Sequence, residues 1–229
     1  MRRFQTMTEL ATQALREGIF NGQYLPGSRL KPVQLEQDMD LGRVAIREAL
    51  RELAGSGLVN SIPNKGIQVA MPPSPEQMSL LYECRCLLEG NLGLQATANI
   101  RNKNLAILEE LYEKMNNKNL LAKDHFLLNR EFHLTLYEAS GWEHSCRLVG
   151  QMLDQVLVFY AFHAQNVASY LDFEPFNKEH AKIIKSLNAK NGLKVQKTIV
   201  ANIKRGHKLL KNVPAIIGEK PLGTISNQN

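Results

Sequence analysis

Between Leu35 and Leu58 the apolar positions form two short helical runs around a tight turn. Leu35 and Met39 lie four apart, and Ala45, Ile46, Ala49, Leu50 and Leu53 trace one face of a second helix, since residues three and four apart share a side. Asp40-Leu41-Gly42 supplies the turn. On the second helix Arg43, Arg47 and Arg51 recur every four residues and make one cationic stripe. Upstream, Leu10, Ala11, Ala14, Leu15, Gly18 and Ile19 predict a helix over 7–21, stopped at Asn21-Gly22. Pro26-Gly27 marks a turn and Ser28-Arg29-Leu30 a small strand. Downstream, the β-prone stretches Leu58-Val59 and Ile67-Gln68-Val69 flank Pro63-Asn64-Lys65-Gly66, which predicts a hairpin with Lys65 at its tip. Helix, helix, basic helix and hairpin add up to a winged helix-turn-helix.

Met71-Pro72-Pro73-Ser74-Pro75 can continue neither a helix nor a central strand, so a domain boundary is expected there. Beyond it no strand-like alternation occurs. The apolar spacing and the turn residues between runs predict helices over roughly 75–99, 104–118, 122–140, 143–169, 173–189 and 191–211. The expected fold is therefore mainly α: a winged head over 1–71, an all-helical antiparallel bundle over 75–212, and a loose tail over 213–229.

Charge changes this picture only modestly. A formal net charge of +6 permits an anionic partner without requiring one. From Lys178 to Lys211 ten Lys and Arg face a single Glu179, but they are scattered round the helix and read as a solvated face. Three cysteines are too few for a disulfide framework, and Cys84 and Cys86 point to different faces. No apolar run has membrane-spanning length and no signal core opens the chain, so a cytoplasmic protein without membrane contact is expected.

The quoted motifs carry a resemblance. LREGIFNGQYLPGSRL (15–30), QLEQDMDLGRVAIREALRELAGSGLV (34–59) and NKGIQVA (64–70) resemble the GntR family of bacterial transcription factors. ECRCLLEGNLGLQATAN (83–99), NREFHLTLYEASGW (129–142) and EHAKIIKSLNAKNGLKVQKTIVANI (179–203) resemble the FCD effector domain of its FadR-like branch. The resemblance implies that Arg43 and Arg47 contact operator bases or phosphates, a task suited to the guanidinium fork. It places Lys65 and Gly66 at the wing tip against DNA, Arg51 against backbone, and Arg29 on a phosphate. The bland alternative is a solvated stripe paired with Glu48 and Glu52. Gly42, Val44 and Ala45 stand where small hydroxyl residues are frequent in the family, which leaves the operator sequence unread.

Many FCD domains hold a divalent metal through an Asp, a His four residues later and two further histidines. Here the Asp position is Asn129, His133 and His180 are kept, and the third histidine position is Asn202. Two neutral amides make a poor set for Zn²⁺ or Ni²⁺. Asn129 and His133 share a helix face, and His180 and Asn202 adjoin apolar stripes, so a polar pocket in the bundle core is expected. Arg85 sits on the stripe Leu81, Leu88, Leu92 and needs an anion, either Glu89 or a carboxylate effector. His125, His144, His163 and His207 show no ligand spacing. Three readings of the pocket stay open: hydrogen-bonded core, a weakened metal site at His133 and His180, or a metal-free effector pocket.

The reading is a ligand-responsive transcription factor binding a palindromic double-stranded operator as a homodimer, with a small carboxylate effector in the bundle. Its rivals are an effector-less DNA-binding protein with a structural bundle and a metal-dependent enzyme, the latter lacking any nucleophile–base pair at sensible spacing.

Overall fold

The computed structural model of the chain describes residues 5–167 and 172–217. The head opens with α1 (Met7–Phe20), whose start is fixed by a capping box: the Thr6 hydroxyl accepts from the Glu9 backbone N–H while the Glu9 carboxylate accepts from that of Thr6. Strand β1 (Arg29–Leu30) leads into α2 (Pro32–Met39) and α3 (Arg43–Gly55). The turn between these helices falls on Asp40-Leu41-Gly42, as expected. Asp40, not the glycine, takes the left-handed conformation, with φ 51°, and Gly42 is an extended N-cap that offers α3 no side-chain cap. Aspartate tolerates the left-handed region because its short side chain bonds locally.

Strands β2 (Val59–Ile62) and β3 (Gly66–Val69) form the hairpin, and β1 joins them in a three-stranded antiparallel sheet of order β1-β3-β2. The loop turns through Asn64 at φ 61° and Gly66 at φ 80°, and the Lys65 N–H donates to the Ile62 carbonyl at 3.0 Å. Arg29 pairs with Gln68 in register, which brings its guanidinium over Gly66; a Cβ there would meet Arg29 Nη2 at 3.3 Å. Leu15, Ile46, Leu50, Leu53, Leu58 and Val69 form the core of the head.

A second capping box, Ser74 with Gln77, and Pro75 at the first helical position start α4 (Pro75–Asn99). The bundle continues with α5 (Asn102–Met115), α6 (Ala122–Glu138), α7 (Glu143–Val167), α8 (Glu174–Asn188) and α9 (Gly192–Ile217). α9 therefore takes in the first five residues of the expected loose tail, 213–217, through Pro214; residues 218–229 of that tail lie outside the described residues, as do 168 and 169 of the expected 143–169 helix. α4 and α9 pack along their lengths. Gly93 allows the close approach, for a Cβ on it would lie 2.2 Å from Ile199 Cδ1. Among the described residues no helix is long and apolar enough to cross a membrane. Lys178, Lys182 and Lys185 of α8 and Lys194, Lys197, Lys204 and Lys208 of α9 are exposed, while Glu179 is buried and held by Arg205 at 2.7 Å.

Candidate DNA-binding face and effector cleft

α3 buries Ala45, Ile46, Ala49, Leu50 and Leu53 and leaves Arg43, Val44, Arg47, Glu48 and Arg51 exposed. Its outer face is thus three arginines around an exposed valine, 77% open. Arg43 Nε lies 3.3 Å from Glu36 and Arg51 Nε 3.6 Å from Glu48, both loose surface pairs worth well under 1 kcal/mol each, roughly. Glu52, the other acid expected to screen the stripe, accepts instead from the Thr12 hydroxyl at 3.1 Å and so belongs to the α1–α3 contact. Arg47 has no ion pair among the described residues. Arg29, Lys65 and Gly66 are exposed on the wing sheet.

In the bundle, α4, α6, α7, α8 and α9 surround a cleft of about 590 Å³ counted to its open mouth. Arg85, Asn129, Asn202, His125 and Arg130 give it a polar side; Tyr82, Phe126, Tyr160, Phe173 and Phe176 give it an aromatic one. Of the residues expected in the pocket, Arg85, Asn129 and Asn202 line it. His133 and His180 do not: both are fully buried in the layer beneath. His125 and Arg130 line the cleft although the sequence reading passed over them. His125 precedes Asn129 by four residues, so the stripe His125, Asn129, His133 was there to be extended.

Beneath the cleft runs a chain of buried polar groups. Arg85 Nε donates to Glu89 Oε1 at 2.5 Å, the Tyr137 hydroxyl donates to Glu89 Oε2 at 2.7 Å, and His133 Nδ1 lies 2.9 Å from that hydroxyl. Burial works against the Arg85 charge, but Glu89 together with the Tyr82 and Tyr137 hydroxyls outweighs it and raises the pKa. The Arg85 guanidinium also sits 4.8 Å over the Tyr82 ring. Beyond His133, His180 lies 5.4 Å away between ring centroids. His133 Nε2 and both His180 nitrogens have no hydrogen-bond partner among the described residues. Burial pushes His133 down to about 4 and His180 well below the ordinary histidine value, the neighbouring imidazoles adding to the effect on His180. His125 is lowered by burial too, its Nε2 bonding Asn177 Oδ1 at 2.9 Å and its ring stacking on Phe173.

These residues do not fit a divalent metal. Orphaned imidazole nitrogens are suitable donors, but His133 and His180 are only two, and Asn129 and Asn202, the other two expected positions, carry neutral amides that bind such ions poorly. Glu89 is committed to Arg85, and Glu179 to Arg205 and to the Asn202 side-chain N–H, which donates to it at 3.1 Å. Among the described residues no three His, Cys, Asp or Glu side chains gather as a metal site.

A winged helix-turn-helix fused to a helical bundle with an internal polar cleft defines a class, the one-chain transcriptional regulators that carry DNA reader and sensor together. Comparison with known proteins supplies the family: residues 8–69 match the gntR family of bacterial regulatory proteins and residues 80–205 match the FCD domain. The chain belongs to the GntR family, its second half is an FCD domain, and it is a transcriptional regulator rather than an enzyme. Relatives include the uncharacterized HTH-type regulator YdhC of Bacillus subtilis, 25% identical over 87% of this chain and 88% of that protein. LutR of the same organism is 26% identical over 81% of this chain and 92% of its own. Escherichia coli McbR/YncC has the same fold, with a TM-score of 0.72 at 20% identity over 91% of this chain and 99% of that one.

The buried imidazoles set a pH dependence. The unfolded chain protonates them below the ordinary value of 6.5, whereas folded His133 waits until about 4. The contribution of His133 is complete above pH 6.5 and is lost as pH falls toward 4, with a slope of about 1.4 kcal/mol per pH unit, and His180 acts in the same direction. Urea titrations across this window should show that slope, and His133→Gln should remove one imidazole's share. An unchanged slope in the variant refutes the assignment.

Proposed function

We propose that the chain binds a palindromic operator as a dimer and that a small carboxylate in the cleft adjusts its affinity. The observation that carries the DNA reading is the outer face of α3, where Arg43, Val44 and Arg47 project from a helix whose other side is fully engaged in the core. Arg43 and Arg47 reach guanine edges or phosphates, and the exposed Val44 between them suits a thymine methyl. Gly42, carrying no side chain, leaves the first N–H groups of α3 open to a phosphate. Lys65, Gly66 and Arg29 give the wing a cation pair and a bare backbone for sequence-independent contact, and Arg51 meets the DNA backbone further along α3.

Support for a carboxylate comes from the cleft's composition: arginines and amides on one side, aromatic rings on the other, and no unpaired acid lining it. The effector acts by linkage. It shifts operator affinity only as far as it binds the two arrangements of the heads unequally, with a coupling of about 1–3 kcal/mol. The second copy docks along α4, where Leu80, Leu87 and Leu94 recur every seven residues on an exposed face. Such a protein works in the cytoplasm, where the DNA is.

Selection from random-sequence duplexes should recover a palindrome. On that duplex Arg47→Ala should weaken binding by roughly tenfold to a hundredfold and relax sequence preference, while Lys65→Ala weakens all duplexes alike and lowers the salt slope by about 1. Binding by Arg47→Ala equal to that of the parent sinks the contact assignment. Leu87→Arg should convert the sedimentation profile from dimer to monomer; a dimer of undiminished strength moves the seam elsewhere.

A further inference from the structure

Arg130 belongs to two sites at once. It lines the cleft, and its Nε donates to Asp154 Oδ1 at 2.6 Å. The other oxygen of Asp154 takes Nη1 of Arg16, which lies on α1 of the head. Asp154 is 1% exposed, so its charge needs a counter-ion, yet it has two. That surplus distinguishes this cluster from the Arg85–Glu89 pair, where removing Arg85 would orphan a buried carboxylate. Asp154 can release Arg130 and stay paired. Arg130 uses only Nε in hydrogen bonding among the described residues, so its Nη edge has no protein partner.

α7 carries Asp154 between the two halves of the molecule. Leu153, Val156 and Tyr160 face the cleft, while Gln151 and Gln155 donate to the Gly55 and Gly57 carbonyls at 2.7 and 2.9 Å, at the end of α3. Leu157 lines the cleft and, with Val158, completes the hydrophobic core of the head. A ligand that alters the α6–α7 contact therefore acts on the wall that holds the DNA-binding helix.

We propose that Arg130 is the residue through which a carboxylate in the cleft is felt at the DNA-binding head: its Nη edge takes the ligand carboxylate, its hold on Asp154 weakens, and Asp154 passes to Arg16. This rests on the effector reading above and names its anchor and its route. The ligand gains a charge-assisted, two-point contact. The head gains a tighter ion pair to α7, which makes ligand-bound and ligand-free proteins hold it differently.

The test uses the full chain, with acetate, benzoate, succinate and citrate as probes in thermal unfolding and in binding to the selected duplex. At least one acid should raise the midpoint of the parent and change its duplex affinity; if none does, the effector reading falls and this inference with it. Arg130→Gln should bind that acid roughly tenfold or more weakly. Arg130→Lys, which keeps the charge on Asp154 but loses the fork, should show the same direction and serves if the first variant does not fold. Undiminished stabilisation in either folded variant overturns the anchor and leaves the effector reading standing. Asp154→Asn should keep the acid's stabilisation while the acid no longer shifts duplex affinity. A shift as large as the parent's overturns the route.

Discussion

α7 is shared between two hydrophobic cores, and the rest of the molecule is arranged around that constraint. Its cleft-facing residues pack in the bundle, and Leu157 and Val158 sit in the core built by α1, α3 and the wing sheet. Neither core is closed without it. Because interiors pack at crystal-like density, a shift of such a helix cannot be absorbed on one side alone. The two glutamines that donate to the carbonyls after α3 add direction to this contact. α3 is thus held at its C-terminal end by the FCD domain and left open along its outer face.

The buried polar layer follows another rule. Arg85, Glu89, Tyr137 and His133 satisfy one another in series, and each would be costly alone. The series stops at His180, where imidazoles are kept neutral by desolvation instead of by partners. In a relative with a carboxylate at position 129 and an imidazole at position 202, the same two histidines would meet an anionic donor. Here Asn202 is turned to Glu179 and the charge is missing.

Most of the architecture was legible because its signals are local. The apolar spacing, the proline-rich break before 75 and the Asn-Gly stops place helix ends directly, and the 75–99 run is α4 itself. The arginine face of α3 could be read for the same reason: period and neighbours suffice to say which side is wet. The cleft could not be read that far. Its residues come from five helices, and which gap stays open depends on how those helices pack, so His133 and His180 fell beneath the wall while Arg130, one residue from Asn129, reached it.

The close contact of α4 with α9 bears on how the bundle packs. At Gly90 and Gly93 side chains of α9 rest against bare backbone, with no flexible layer between the two rods. The two backbones lie closer there than a side chain on each helix would allow. A side chain added at Gly93 would have to move Ile199, so the spacing of the two rods is written into the absence of a single methyl group.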